Sequence, residues 1–261
     1  MYPHHTQSIQ NVTEYFQHDP EVLALLLGGS IAHGFETSTS DVDIMILVSE
    51  EDHKKRLESN QIHFFNIDLC AYEGGYVDGK YVSPGFVKQV REKGSEPARF
   101  AFAGSRILFS KVDGLAEEIC KAAEYPVSKK AEQIKRFYAQ FEAWHWYSQE
   151  SLRLNNAYLL GTSVSKMILF GGRLILAHNE TLYPYHKWFL RVLENAKDKP
   201  DDLLTSIQQL TAAPTAQTIE YFYEKVKTFQ PWIEGGFSWP TQFMLDSELN
   251  WLDGKTPVDD L

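Results

Sequence analysis

The first third of the chain alternates short apolar runs with turns rich in glycine and serine. Val22–Leu27 and residues 44–48 are continuously apolar, which predicts two strands buried on both faces of a sheet. Residues 64–72 alternate apolar side chains with Asn66 and Asp68, and this period of two predicts a third strand. A sheet is therefore expected to organise the N-terminal part.

Between and after these strands the pattern predicts helices and a hairpin. The charged residues 50–60 are expected to form a short helix or loop, and Ser83-Pro84 has the order of a capped helix start before residues 85–93. Residues 100–102 and 106–109 are expected to form a final hairpin across a glycine-containing turn.

After Ser110 the apolar spacing changes to three and four residues. Residues 134–145 and 159–174 carry this repeat and predict two long helices, and shorter helices are expected at residues 185–196, 201–211 and 215–229. The pattern thus predicts an α+β protein with two domains. Residues 1–115 would form a mixed β-sheet flanked by helices, and residues 116–261 would form a helical domain.

The composition of the chain limits the class of protein to which it can belong and the kinds of partner that it can bind. The chain has 261 residues, 43% hydrophobic and 23% charged, so each half can bury a core. Its formal net charge of −10 disfavours DNA or RNA and favours a small or cationic partner. Cys70 and Cys120 are the only cysteines, which favours free thiols in a reducing cytoplasm. We read neither a secretory signal nor an apolar run of the roughly 18 residues that a membrane span needs.

The segment that follows the first strand combines features that suit a bound phosphate. Gly28 and Gly29 permit a tight turn and close approach of the backbone to a ligand. Ser30 would then begin a helix, whose free amides favour an anion. A triphosphate is therefore expected to bind at Gly29-Ser30.

Carboxylates follow at the start of the second strand. Asp41 and Asp43 are two residues apart in extended backbone, so both side chains point to one side. Mg²⁺ prefers oxygen ligands and is typically held by one or two carboxylates together with substrate phosphates. Asp68, on the polar side of the third predicted strand, is expected to complete the set and to serve a second Mg²⁺ ion.

Ordinary structural interpretations exist for each feature alone. Gly-Gly-Ser can be a simple turn, and Asp-x-Asp is common as a cap or solvated edge at strand starts. Their ordered combination favours function, because two like charges on one side of a buried strand destabilise each other without a cation. The chain has neither the lysine-containing phosphate loop nor the Gly-x-Gly-x-x-Gly turn of dinucleotide-binding proteins, and it has no cysteine–histidine cluster with zinc spacing.

Gly29-Ser30, Ser40-Asp41-Val42-Asp43 and Asp68 together resemble the signature of the polymerase-β-type nucleotidyltransferase superfamily. The motif covers residues 28–68, and the arrangement of a sheet domain before a helical bundle is similar to bacterial aminoglycoside and lincosamide nucleotidyltransferases. The resemblance implies transfer of a nucleoside monophosphate, with AMP from ATP as the first expectation, to a hydroxyl of a small-molecule acceptor.

The resemblance also implies roles for residues outside the motif. A helical domain of this kind closes the cleft and supplies a cation for the triphosphate, and Lys166 and Lys187 are the candidates. Asp68 is the favoured general base. Two alternatives remain open: a protein-modifying or antitoxin-like member that acts on a protein side chain, and a nucleotide-binding regulator without turnover.

Overall fold

A mixed five-stranded sheet lies in the N-terminal part of the computed structural model, which describes residues 1–254. Its strands are β1 (Val22–Leu27), β2 (Val42–Val48), β3 (His63–Asn66), β4 (Val77–Val82) and β5 (Arg106–Ser110). Their order across the sheet is β3-β4-β2-β1-β5. β2 and β4 are parallel, whereas the other neighbouring strands are antiparallel. The prediction of an α+β fold with a mixed sheet is confirmed.

Helices cover both faces of this sheet. They are α1 (Pro3–Gln17), α2 (Gly29–His33), α3 (Glu50–Glu58), α4 (Pro84–Lys93), α5 (Glu96–Ala103) and α6 (Leu115–Ala122). On one face, Val12 and Phe16 of α1 pack against Leu25 and Ile46. On the other face, residues of α4, α5 and α6 pack against β1 and β2 through Leu26, Met45, Leu47, Val87, Phe102 and Ile119. Because neighbouring residues of a strand point to opposite faces, both faces of β1 and β2 are apolar.

Three details of this part differ from the expectations. The third strand ends at Asn66, and the chain then turns, so residues 67–72 are not extended as predicted. Residues 100–102 belong to α5 and not to a hairpin, because the Ser95 side chain accepts a hydrogen bond from the Ala98 N–H and begins a helix there. β4 was not predicted, since its sequence Val-Asp-Gly-Lys-Tyr-Val lacks a clear apolar period.

The rest of the chain is helical. Its helices are α7 (Lys130–Arg153), α8 (Ala157–His178), α9 (Phe189–Glu194), α10 (Leu203–Ala212), α11 (Ala216–Lys227) and α12 (Trp239–Phe243). Short 3-10 turns occur at Val127–Lys129, His186–Trp188 and Asn250–Asp253, and a π-helical turn at Met244–Glu248. α7 and α8 pack along each other, and α11 and α12 pack against α7. The chain divides into two compact units, with the boundary after Tyr125, and α6 belongs to the first unit.

One helix among residues 1–254 is long and apolar enough to cross a membrane by length and composition. This helix is α8, with a mean hydropathy of 1.4 over its most apolar 18-residue window, of which 44% is buried. The expectation that no such run exists was therefore wrong. Met167, Leu174 and Ile175 of α8 are fully buried, and the core helix of a soluble protein meets the same criterion.

Candidate active site

The glycine turn after β1 is fitted closely to β2. The Gly28 N–H donates a hydrogen bond of 2.8 Å to the Asp43 carbonyl oxygen, which fixes the turn beside the start of β2. Gly29 has a φ of +59°, and a Cβ atom at this position would overlap the Asp43 carboxylate. Only glycine therefore fits here, because other residues would be strained and would displace Asp43.

Ser30 presents a buried hydroxyl beside this turn. Its residue surface is 3% exposed, and its Oγ atom has no hydrogen-bond partner among residues 1–254. Buried polar side chains are nearly always hydrogen-bonded, so this hydroxyl can take a partner from outside the fold, such as water or a ligand. The hydroxyl can donate to a phosphate oxygen. The prediction from sequence for Ser30 rests on the free amides at the start of the helix, and phosphate binding there stays a prediction.

Three carboxylates converge next to the turn. Asp41 precedes β2, Asp43 lies in β2, and Asp78 lies directly beside Asp43 in the register of parallel strands β2 and β4. One oxygen from each carboxylate lies within 4.8 Å of the others, and this is the group of metal-ligating type found among residues 1–254. Such a set of oxygen donors suits a hard divalent cation such as Mg²⁺. The buried Ser30 hydroxyl and the close contact between Gly29 and the Asp43 carboxylate bring the glycine turn next to the place that such a cation would take.

The third carboxylate of this group is Asp78 and not Asp68. Asp68 lies in the exposed turn after β3, so the premise that it occupies the polar side of a strand was wrong. Asp78 is brought to the pair by strand pairing, because Asp43 and Asp78 are register partners and share a face of the sheet. Asp78 could not have been found by looking for a second Asp-x-Asp motif, because no other aspartate lies two residues before or after it.

Polar side chains from the neighbouring strands surround the carboxylates. The His63 Nε2 atom lies 2.7 Å from the Asp78 Oδ1 atom. The charge of Asp41 raises the pKa of Tyr76, whose hydroxyl hydrogen-bonds that carboxylate. Lys80 follows Asp78 on the same face; desolvation lowers the pKa of its amino group, and Asp43 acts in the opposite direction. None of His63, Tyr76 and Lys80 is predicted from the sequence to belong to the site, because their proximity depends on the pairing of β3, β4 and β2.

The two lysines expected to contact phosphate lie in the second unit. Lys166 is exposed on α8, and Lys187 is exposed in the turn before α9, with its Nζ atom 5.1 Å from the centre of the Trp188 ring. Within the second unit, both side chains are exposed to solvent. Their contact with a triphosphate stays a prediction.

A family sequence model covers the same segment. The sequence model of the family described as "Polymerase beta, Nucleotidyltransferase" matches residues 10–76, which include Gly29, Ser30, Asp41 and Asp43 and end before Asp78. Among solved structures, the chain is similar to a nucleotidyltransferase-like protein from Exiguobacterium sibiricum, at 12% identity and a TM-score of 0.48, covering 85% of this chain and 73% of that chain. No curated protein matches the chain.

Proposed function

We propose that the protein transfers a nucleoside monophosphate to an acceptor hydroxyl, because the family model of polymerase-β-type nucleotidyltransferases matches residues 10–76. The donor is a nucleoside triphosphate, with ATP as the first candidate, and the second product is pyrophosphate. The observation that carries this proposal is the convergence of Asp41, Asp43 and Asp78 beside a glycine turn with a buried, unpartnered serine hydroxyl.

Each residue of the site has a defined task in this reaction. Gly29 leaves room for the Asp43 carboxylate to lie against the turn, and the Ser30 hydroxyl donates to a phosphate oxygen. Asp41, Asp43 and Asp78 would hold two Mg²⁺ ions, which supply charge neutralisation at the phosphates when bound. Most of the rate then comes from positioning and from electrostatic stabilisation.

The transfer step requires a proton acceptor near the incoming hydroxyl. The acceptor oxygen attacks the α-phosphorus in line, the bond from that phosphorus to the bridging oxygen breaks, and pyrophosphate leaves with the electron pair. We assign the released proton to Asp78, which lies beside Asp43 on the neighbouring strand β4. A base must lie within hydrogen-bond reach of the proton that it accepts, and Asp78 shares the face on which the phosphates would bind.

The acceptor is proposed to be a small molecule that carries positive charge, as an aminoglycoside-like antibiotic does. The formal net charge of −10 attracts such a molecule and repels a long polyanion. Free Cys70 and Cys120 fit a cytoplasmic setting for the reaction. Lys166 and Lys187 stay candidates for a further contact to the triphosphate.

The test is a measurement of pyrophosphate release with ATP, GTP, CTP and UTP, each with Mg²⁺ and a panel of polyhydroxylated amines. We expect release that depends on the acceptor and on Mg²⁺, and that is lost in Asp41→Asn. Mass spectrometry of the intact protein and of added proteins should show no nucleotide adduct. An adduct on a protein would support the protein-modifying alternative, and tight nucleotide binding without release against every acceptor would support the regulator.

A further inference from the structure

The edge strand β3 places an imidazole against the third carboxylate of the site. We propose that His63 is a positioning residue that orients Asp78 toward the bound cation, an inference that rests on the proposed function. The His63 Nε2 atom lies 2.7 Å from Asp78 Oδ1. Because an ionised carboxylate can only accept hydrogen bonds, Nε2 is the donor in this pair.

Strand pairing fixes the geometry of this contact. β3 and β4 are antiparallel, with His63 opposite Lys80 and Phe65 opposite Asp78. His63 is therefore the diagonal neighbour of Asp78 on the same face, a distance that a long or aromatic side chain can bridge. The contact arises from backbone register and does not depend on any loop.

The hydrogen bond leaves the second carboxylate oxygen for the cation. The Asp78 side chain is 41% exposed, so without a partner it would sample several rotamers in water. His63 binds Oδ1, so the other carboxylate oxygen of Asp78 is left out of this hydrogen bond and can accept a cation. Outer hydrogen bonds of this kind orient metal ligands, and their loss typically lowers metal affinity about 10–100-fold.

Two observations favour positioning over other roles for His63. An exposed ion pair contributes little to folding, and the His63 side chain is 65% exposed, so the contact is a weak source of stability. The group of ligand atoms that lie within 4.8 Å of one another does not include His63. His63 therefore contacts Asp78 from outside this group and is not placed as a direct ligand of the cation. Hard divalent cations prefer oxygen donors in any case.

The experiment measures Mn²⁺ binding to the purified full-length protein, without nucleotide, by the electron paramagnetic resonance of free Mn²⁺. His63→Phe keeps the ring shape and removes the donor, and we expect the dissociation constant for Mn²⁺ to rise about tenfold or more. His63→Gln keeps an N–H donor and should restore most of the affinity. His18→Phe makes the same change at an exposed position of the first unit and should have no effect.

A double variant separates orientation of Asp78 from a general loss of structure. If His63 acts through Asp78, His63→Phe should change nothing further in an Asp78→Asn background, and the melting temperature of the single variant should match that of the wild type. Wild-type affinity in His63→Phe, together with weakened binding in Asp78→Asn, would overturn the inference and leave the proposed function intact. A nitrogen hyperfine coupling from His63 to Mn²⁺ would also overturn it. Absence of Mn²⁺ binding by the wild type would overturn the inference, whereas absence of pyrophosphate release against the whole acceptor panel would overturn the proposed function.

Discussion

Two polar clusters, one in each unit, differ in how their members are paired. In the second unit, Glu142 of α7 accepts a hydrogen bond of 2.7 Å from the Tyr223 hydroxyl, and Lys227 donates to the same hydroxyl at 2.7 Å. Burial and the nearby Glu142 carboxylate raise the pKa of Tyr223, so its hydroxyl keeps the proton that this bond needs. In the first unit, the Ser30 hydroxyl has no partner within the described chain, and three carboxylates face one another.

Under the proposed function, this difference is one between groups that serve packing and groups that bind a ligand. A polar group that finds its partners inside the fold is fully compensated for the loss of water, whereas carboxylates at close range repel each other until a cation joins them. In the first unit, the repulsion among the three carboxylates is an unfavourable interaction that bound divalent ions and a nucleotide would relieve. In the second unit, Glu142 has its hydrogen-bond partner inside the fold and needs no ligand.

The largest effect is expected from Asp43→Asn. Loss of one ligand to the cation removes several kcal/mol of transition-state stabilisation, so the rate of pyrophosphate release should fall about 10³-fold. The fold should persist, because the substitution removes repulsion between like charges. Asp113→Asn changes an exposed aspartate of the same unit and should leave the rate unchanged. Wild-type turnover in Asp43→Asn would remove the carboxylates from the mechanism.

Gly29→Ala should have the next largest effect. The added Cβ would overlap the Asp43 carboxylate, and a displacement of about 1 Å at a reacting site can lower the rate about 10²-fold. Gly34 has a φ of +69° and open space around it, so Gly34→Ala imposes similar backbone strain without the overlap. Steady-state kinetics of the two variants separates strain from displacement, and equal losses in both would show that Asp43 is not displaced.

Glu142→Gln tests whether the paired polar cluster of the second unit contributes to stability and not to metal binding. The substitution weakens the hydrogen bonds to Tyr223, and we expect the free energy of unfolding of the second unit to fall by about 1–3 kcal/mol. All six tryptophans lie after residue 125, so tryptophan fluorescence during urea unfolding reports on this unit. The exposed Glu132→Gln on the same helix should change the value by less than about 0.5 kcal/mol. Weakened Mn²⁺ binding in Glu142→Gln would contradict a purely structural role.

Sequence patterns identified the parts of the site that are close together in the chain. β1, the glycine turn, Asp41 and Asp43 lie in one continuous segment, so apolar runs and residue spacing were sufficient to place them. The third carboxylate required knowledge of which strands pair and in which register, because Asp78 meets Asp43 across the parallel pair β2 and β4. Local pattern carries no information on register between separate strands.

The sequence contains evidence against the hairpin that was predicted for residues 100–102. Ser95 is followed by Glu96 and Pro97, which is the same order of cap and proline that predicted α4 at Ser83-Pro84. The apolar residues after it suggested a strand because a short run carries too few positions to separate period two from period 3.6. The helix-capping sequence at Ser95 therefore favours a helix over a strand for residues 100–102.

The smallest expected effect concerns a buried polar residue of the first unit outside the site. His5 of α1 is fully buried, next to His4 and Tyr72, and burial, followed by the charge of His4, lowers the pKa of His5. In the unfolded chain it takes up a proton as the pH falls below about 6.5. The folded state does not take up that proton until a lower pH. The stability that this difference provides is therefore complete above about pH 6.5 and is lost as the pH falls toward the folded pKa.

Hydrogen exchange of the α1 and β1 amides, followed by mass spectrometry at pH 7.5 and pH 5.5 and corrected for the intrinsic exchange rate, measures this loss. Protection should fall at the lower pH in the wild type, and the fall should be smaller in His5→Leu, which cannot take up a proton. His18→Leu, at an exposed position near the end of α1, should keep the wild-type response. An equal fall in all three proteins would mean that other groups control the acid response. A smaller fall in His5→Leu alone would show that a buried polar group of the first unit, unlike Ser30 and the carboxylates, affects stability without any ligand.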